Sequence, residues 1–204
     1  MNASRSLFAA ALVGATLLLP LAPAQAAPTE TTRAGSTTVV LSKEFTDALG
    51  ALAVKPAPVS PGRLFVHKWK GTRAVFPITT GAVDLGTAKA EIAHGGGLSL
   101  SAAEGTIVVE LTSFIIDLAG PAPVLTGLVT ANDSLVGRLK LFELSLPANA
   151  LDGTNEDFLK VSDVAVTLHP DAAAALSAVF GTTVPAGLSV GTASVRAVLE
   201  IERH

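Results

Sequence analysis

Short apolar runs recur along the chain at intervals of about ten residues, divided by Gly, Pro, Asn and Asp, which is the spacing of an antiparallel all-β protein. The runs fall at residues 38–41, 73–79, 88–93, 106–111, 113–118, 124–130, 135–144, 161–168 and 192–201. Val and Ile dominate the two runs from 106 to 118, as they do in buried strands. Residues 135–144 place Arg138, Lys140 and Glu143 among Leu139, Leu141, Phe142 and Leu144, which predicts one wet and one dry face. Val195, Ala197 and Leu199 alternate with Arg196, Val198 and Glu200, the pattern of a half-buried closing strand. Turns are expected at 103–105, 120–121, 131–133 and 152–153, where Gly, Asn or Asp tolerate tight backbone geometry.

Two segments depart from this period. Residues 42–49 start on a capping Ser42, carry Phe45 and Leu49 four apart, and end at Gly50. Residues 170–180 open with Pro170 and Asp171, run through four alanines to Leu176, Val179 and Phe180, and stop at Gly181. The pattern therefore predicts a mainly β fold, an antiparallel β-sandwich or barrel with two short helices. Leu41-Ser42 with Ala48-Leu49 lines up against Leu168-His169 with Ala175-Leu176, so 37–145 and 161–204 are candidates for an internal duplication sharing a strand–helix unit.

The ends of the chain change the picture of where it works. Arg5, an apolar run at 7–19, Pro20, and Ala24-Gln25-Ala26 read as a signal peptide over residues 1–26 that is cleaved on export. Residues 27–36 are polar and unpatterned and are expected to form a flexible N-terminal arm, followed by a single β-rich domain over 37–204. No second apolar span follows, so a secreted protein without a transmembrane segment in its mature chain is expected, soluble or held at the cell surface. Cysteine is absent, which removes disulfides, thiol nucleophiles and a lipid-modified cysteine. The formal net charge is −3 and only 15% of residues are charged, so the electrostatic footprint of a nucleic-acid binder is missing. Composition rich in Ala, Val, Gly and Leu and poor in Lys points to a bacterium with a GC-rich genome.

Candidate chemistry is sparse. His94 precedes Gly95-Gly96-Gly97, a run that lets the backbone approach a ligand or make a wide turn. Trp69 stands between Lys68 and Lys70, as an exposed platform or interface anchor would. His67 reads as a strand-edge residue and His169 as a helix-entry residue. No pair of histidines has zinc-ligand spacing. Ser99 and Ser101 follow the glycines but lack the residue pattern of a nucleophile elbow. Glu110, Asp117 and Glu143 read as outward strand residues. Asp152, Asn155 and Asp157 gather oxygen ligands in one loop, a candidate calcium site without the EF-hand spacing.

Three pieces taken in order resemble exported proteins of actinobacteria and, more distantly, the HtaA-type heme-uptake domain. They are 41–49, then Phe76-Pro77-Ile78-Thr79-Thr80-Gly81, then Ile92-Ala93-His94-Gly95-Gly96-Gly97-Leu98 leading to Leu100. The resemblance spans about 37–145 and implies a β-rich secreted or surface domain that binds heme, with His94 alone in a ligand-like position. Heme binding in that family depends on a tyrosine as axial ligand. This chain has no tyrosine, and Phe45 stands where an aromatic residue follows the first strand. The expected function is a non-enzymatic secreted β protein that acts by ligand binding or by structural interaction at the cell surface. It would meet a cell-envelope component or a second copy of itself, with no obligatory cofactor. A heme- or metal-binding module using His94 is the alternative, and a secreted hydrolase with a dispersed site is the second.

Overall fold

A computed structural model describes residues 30–67, 69 and 71–200. The signal-peptide reading of 1–26, residues 27–29, Lys68, Lys70 and the last residues from 201 lie outside the described residues. Eleven strands and two helices follow in the order β1 (Glu30–Leu41), α1 (Lys43–Ala51), β2 (Lys55–Val59), β3 (Arg63–His67), β4 (Gly71–Asp84), β5 (Lys89–His94), β6 (Gly97–Ala102), β7 (Ile107–Asp117), β8 (Val124–Ala131), β9 (Ser134–Ser145), β10 (Phe158–Leu168), α2 (Pro170–Phe180) and β11 (Ser189–Glu200). All pairings are antiparallel. The path β7-β5-β4-β1-β11-β10-β9-β8 returns to β7 through a β7–β8 ladder, which closes eight strands into a barrel. Of the two architectures the pattern allowed, the chain adopts the barrel, because this last ladder leaves no open edge in the ring.

The inner wall follows the alternation in the sequence. Ala193, Val195, Ala197 and Leu199 of β11 are buried while Arg196 and Val198 face out. On β4, Ala74, Phe76 and Ile78 point inward. Several ladders carry bulges, among them those of β7 and β10. Register slips between Thr112 and Ile115 around Ser113 (φ 50°), and between Val161 and Val164 around Asp163 (φ 57°). A bulge bends and twists its strand, which a wall of eight strands requires to close. Ser113 also explains why residues 106–118, expected as two runs, form the single strand β7.

The expected arm is corrected in part. Residues 30–36 belong to β1, where Thr31 pairs with Glu200 on one side and Ala82 on the other. Thr32 is buried and Arg33 pairs with Glu200 at 3.0 Å. Polar composition suggested disorder, but ladders on both flanks supply the backbone bonds that hold the segment straight.

Both helices form where expected. Ser42 Oγ accepts from the Phe45 amide at 2.9 Å and caps α1, which buries Phe45 and Leu49. His169 caps α2, and Gly181 ends it at φ 64°. Helix α2 lies against β7 and β9, beyond the point where β10 stops pairing with β9 at Phe142.

Candidate functional site

The barrel wall forks at His94. Along residues 78–84, β4 pairs with β5, and β5 pairs with β7 through Ile115, Ile116 and Asp117. Beyond His94 the two neighbours separate. β3 continues on β4 over 71–75, and β6 continues on β7 over 107–112. β2 then pairs with β6, so the β2–β3 turn bridges the fork. Sequence reading missed β2, because Pro56 and Pro58 demote it. Both prolines are tolerated since β2 bonds to β6 on one side only.

His94 ends β5 with its ring inside, only 5% exposed. Its Nε2 shares a 2.7 Å hydrogen bond with the Thr37 hydroxyl of β1, two strands away across the inner wall. Nδ1 is buried with no hydrogen-bond partner. Burial pushes the imidazole down from its ordinary 6.5 to about 4, while the nearby backbone of Phe114 and Ile92 pulls weakly the other way. Neither backbone group makes a well-formed bond to Nδ1, so the first effect prevails. At neutral pH His94 is an uncharged polar group in an apolar wall.

That neutrality makes stability depend on pH. The folded pKa lies below the unfolded value, so between them the unfolded chain binds a proton that the fold excludes. The contribution is complete above about pH 6.5 and is lost as pH falls toward about 4, by about 3 kcal/mol in total. Urea midpoints measured across this window should fall less steeply for His94→Gln than for the natural chain. Parallel slopes would show that His94 titrates alike in both states.

The three glycines are enclosed by the chain itself. Gly95 donates its amide to the Pro77 carbonyl at 2.9 Å. Gly96 has φ 80° and abuts the β2–β3 turn at Val59 and Gly62, and Gly97 presses on the Leu111 carbonyl of β7. They seat β5 and β6 on the fork. Trp69 is distant in role. It is 90% exposed, in the turn between β3 and β4. His67 closes the edge strand β3 opposite Gly71, and His169 Nδ1 accepts from the Asp171 amide at 3.1 Å.

In the candidate calcium loop, Asn155 Oδ1 already accepts from the amides of Asp157 (3.0 Å) and Phe158 (2.9 Å). The Lys160 side chain lies over Gly153, its ammonium 2.8 Å from where a β-carbon would stand, so a positive charge overhangs the loop. Among the described residues no three His, Asp or Glu side chains group as a metal would need. Glu110, Asp117 and Glu143 sit on the outer face, and Asp117 Oδ1 accepts from the Ala119 amide.

The feature that sequence reading did not find is interior space. A cavity of about 90 Å³ lies within the barrel, walled by Phe76, Phe114, Val161, Val195, Thr37 and His94 among others. It reaches the β4–β5 turn at Asp84, Leu85, Ala88 and Lys89. A second space of about 170 Å³, lined wholly by apolar side chains, lies between α2 and β6–β9. The two share Phe45, Leu98, Leu111 and Phe142 as a common wall. Free volume between side chains depends on their packing in three dimensions, and a strand pattern carries no record of it.

No family model and no curated sequence matches the chain. Solved structures do. The C-terminal domain of HtaA from Corynebacterium glutamicum superposes with a TM-score of 0.61 at 15% identity, over 84% of this chain and 99% of that one. A histidine-to-alanine variant of that domain, a domain-swapped dimer, gives 0.54 at 19% identity, over 76% and 89%. The heme-binding protein HtaB of the same organism gives 0.57 at 11%, over 85% and 96%. At these identities the likeness is one of architecture, and it is that of the HtaA-type barrel.

Proposed function

We propose that this chain is a non-enzymatic, extracellular binding module that takes a slender apolar molecule into its barrel. The cavity between Phe76, Phe114 and His94, backed by the apolar space under α2, is the observation that carries the reading. Eight-stranded barrels are wide enough to be filled by side chains or to hold one small ligand. Here the filling is incomplete, and an apolar void favours an apolar occupant over water. The protein should bind a medium-chain fatty acid in native mass spectrometry or titration calorimetry. Ala193→Leu, on the inner wall, should weaken binding at least about tenfold while costing about 1–3 kcal/mol of stability. Binding unaffected by this variant would place the ligand elsewhere and overturn the reading.

Heme is the second reading, favoured by an architecture shared with a heme-binding protein and by a buried imidazole on the cavity wall. A porphyrin needs a pocket of about 300 Å³ or more, and the two interior spaces are about 90 and 170 Å³. His94 Nε2 is also engaged by Thr37, and the chain has no tyrosine to serve in its place. The closed barrel therefore does not fit heme, and this reading requires the fork at His94 to open. A hemin titration separates the two. A Soret shift abolished by His94→Ala supports heme, and an unchanged spectrum leaves the apolar ligand.

A further inference from the structure

We propose that the β3–β4 hairpin docks the protein onto an anionic lipid surface, with Trp69 entering the interface. Residues 63–73 read Arg-Leu-Phe-Val-His-Lys-Trp-Lys-Gly-Thr-Arg, with four basic side chains and no acidic one in a chain whose net charge is −3. The same stretch concentrates exposed apolar surface. Phe65 is 41% exposed, Val66 77% and Trp69 90%. Phe65 stands directly opposite Arg73, which stands opposite Val40 on β1, so these three share one row on the outer face. Val40 is itself 43% exposed. Among the described residues β3 pairs with β4 only, so its other edge carries no strand.

This combination selects its partner by chemistry. Indoles favour the boundary between headgroups and acyl chains, and lysines beside them are drawn to anionic headgroups. Elsewhere the exposed pair Phe158 and Val198 lies next to Glu156 and Asp157, and Leu135 and Val136 follow Asp133, with no indole beside either pair to favour such a surface. A soluble polyanion would satisfy the basic residues but gives no reason for Phe65, Val66 and Trp69 to be exposed together. Docking here leaves the β4–β5 turn, at the other end of β4, open to solvent.

Trp69 is the sole tryptophan and the chain has no tyrosine, so its emission reports on this hairpin directly. The purified protein should sediment with vesicles of phosphatidylglycerol and phosphatidylcholine in equal parts, and not with phosphatidylcholine alone. Its emission should shift to the blue and be quenched by brominated acyl chains. Lys68→Gln with Lys70→Gln should weaken partition by about 30-fold and leave the melting temperature unchanged. No sedimentation, or sedimentation without a blue shift, would overturn the proposal. So would a soluble polyphosphate that produces the same response as the vesicles.

Discussion

Phe114→Ala should lower the unfolding free energy by about 4 kcal/mol in urea denaturation. Phe114 is 3% exposed on the inner face of β7, and its ring meets Phe76 edge-on at a centroid distance of 5.0 Å and an interplanar angle of 87°. Truncation removes the transfer energy of a phenyl ring and the edge-to-face contact, worth about 1 kcal/mol beyond its area. It also enlarges a space that already exists, so the walls have little reason to collapse inward. Phe114 further packs on Gly127, where a β-carbon would come within 2.9 Å of its ring. Phe158→Ala is the control. That ring is 52% exposed, and its loss should change stability by well under about 1 kcal/mol. If the proposed ligand occupies the cavity, it should recover part of the Phe114→Ala loss, because a ligand bound only to the fold adds stability by mass action.

Local signals account for most of the barrel's strands. The alternation in residues 192–200 places β11 and its inward face, since period two determines which side chains meet the core. The cap Ser42 and the stop at Gly181 locate the helices, because both act within one turn of the backbone. Whatever depended on a partner far along the chain was not legible. Residues 30–36 have no apolar pattern, and β11 and β4 make them a strand from more than forty residues away. β2, with two prolines in five residues, exists because β6 accepts it as an edge. Barrel rather than sandwich was settled by one ladder, β7 on β8.

The same division runs through the site. His94 stood out by its glycines, but its burial and its bond to Thr37 join residues 57 positions apart. Glycine-rich sequence states only that the backbone is free to turn or to approach something closely. Here what it approaches is protein: the Gly62 turn and the Leu111 carbonyl. The sequence left Trp69 open between an exposed platform and an indole half-covered by its own fold, and it stands 90% exposed in the β3–β4 turn.

Gly96→Ala should be among the most damaging single methyl groups that can be added to this chain, costing about 4 kcal/mol. Two penalties combine. At φ 80° an L side chain is strained. The new carbon would also stand 2.7 Å from the Val59 carbonyl oxygen and closer still to the Gly62 amide nitrogen, both of them backbone atoms that no rotamer change can withdraw. Gly105→Ala separates the two penalties. Its φ is 91° but nothing lies within 4 Å of the added carbon, so only the conformational cost of about 1 kcal/mol should remain. The excess at Gly96 measures how firmly the β2–β3 turn is clamped on the fork. Because His94 lies two residues away, Gly96→Ala should also loosen its surroundings and raise its pKa toward 6.5, flattening the acid side of the stability profile. Equal costs at Gly96 and Gly105 would mean that the turn yields freely and that the fork is already open in solution.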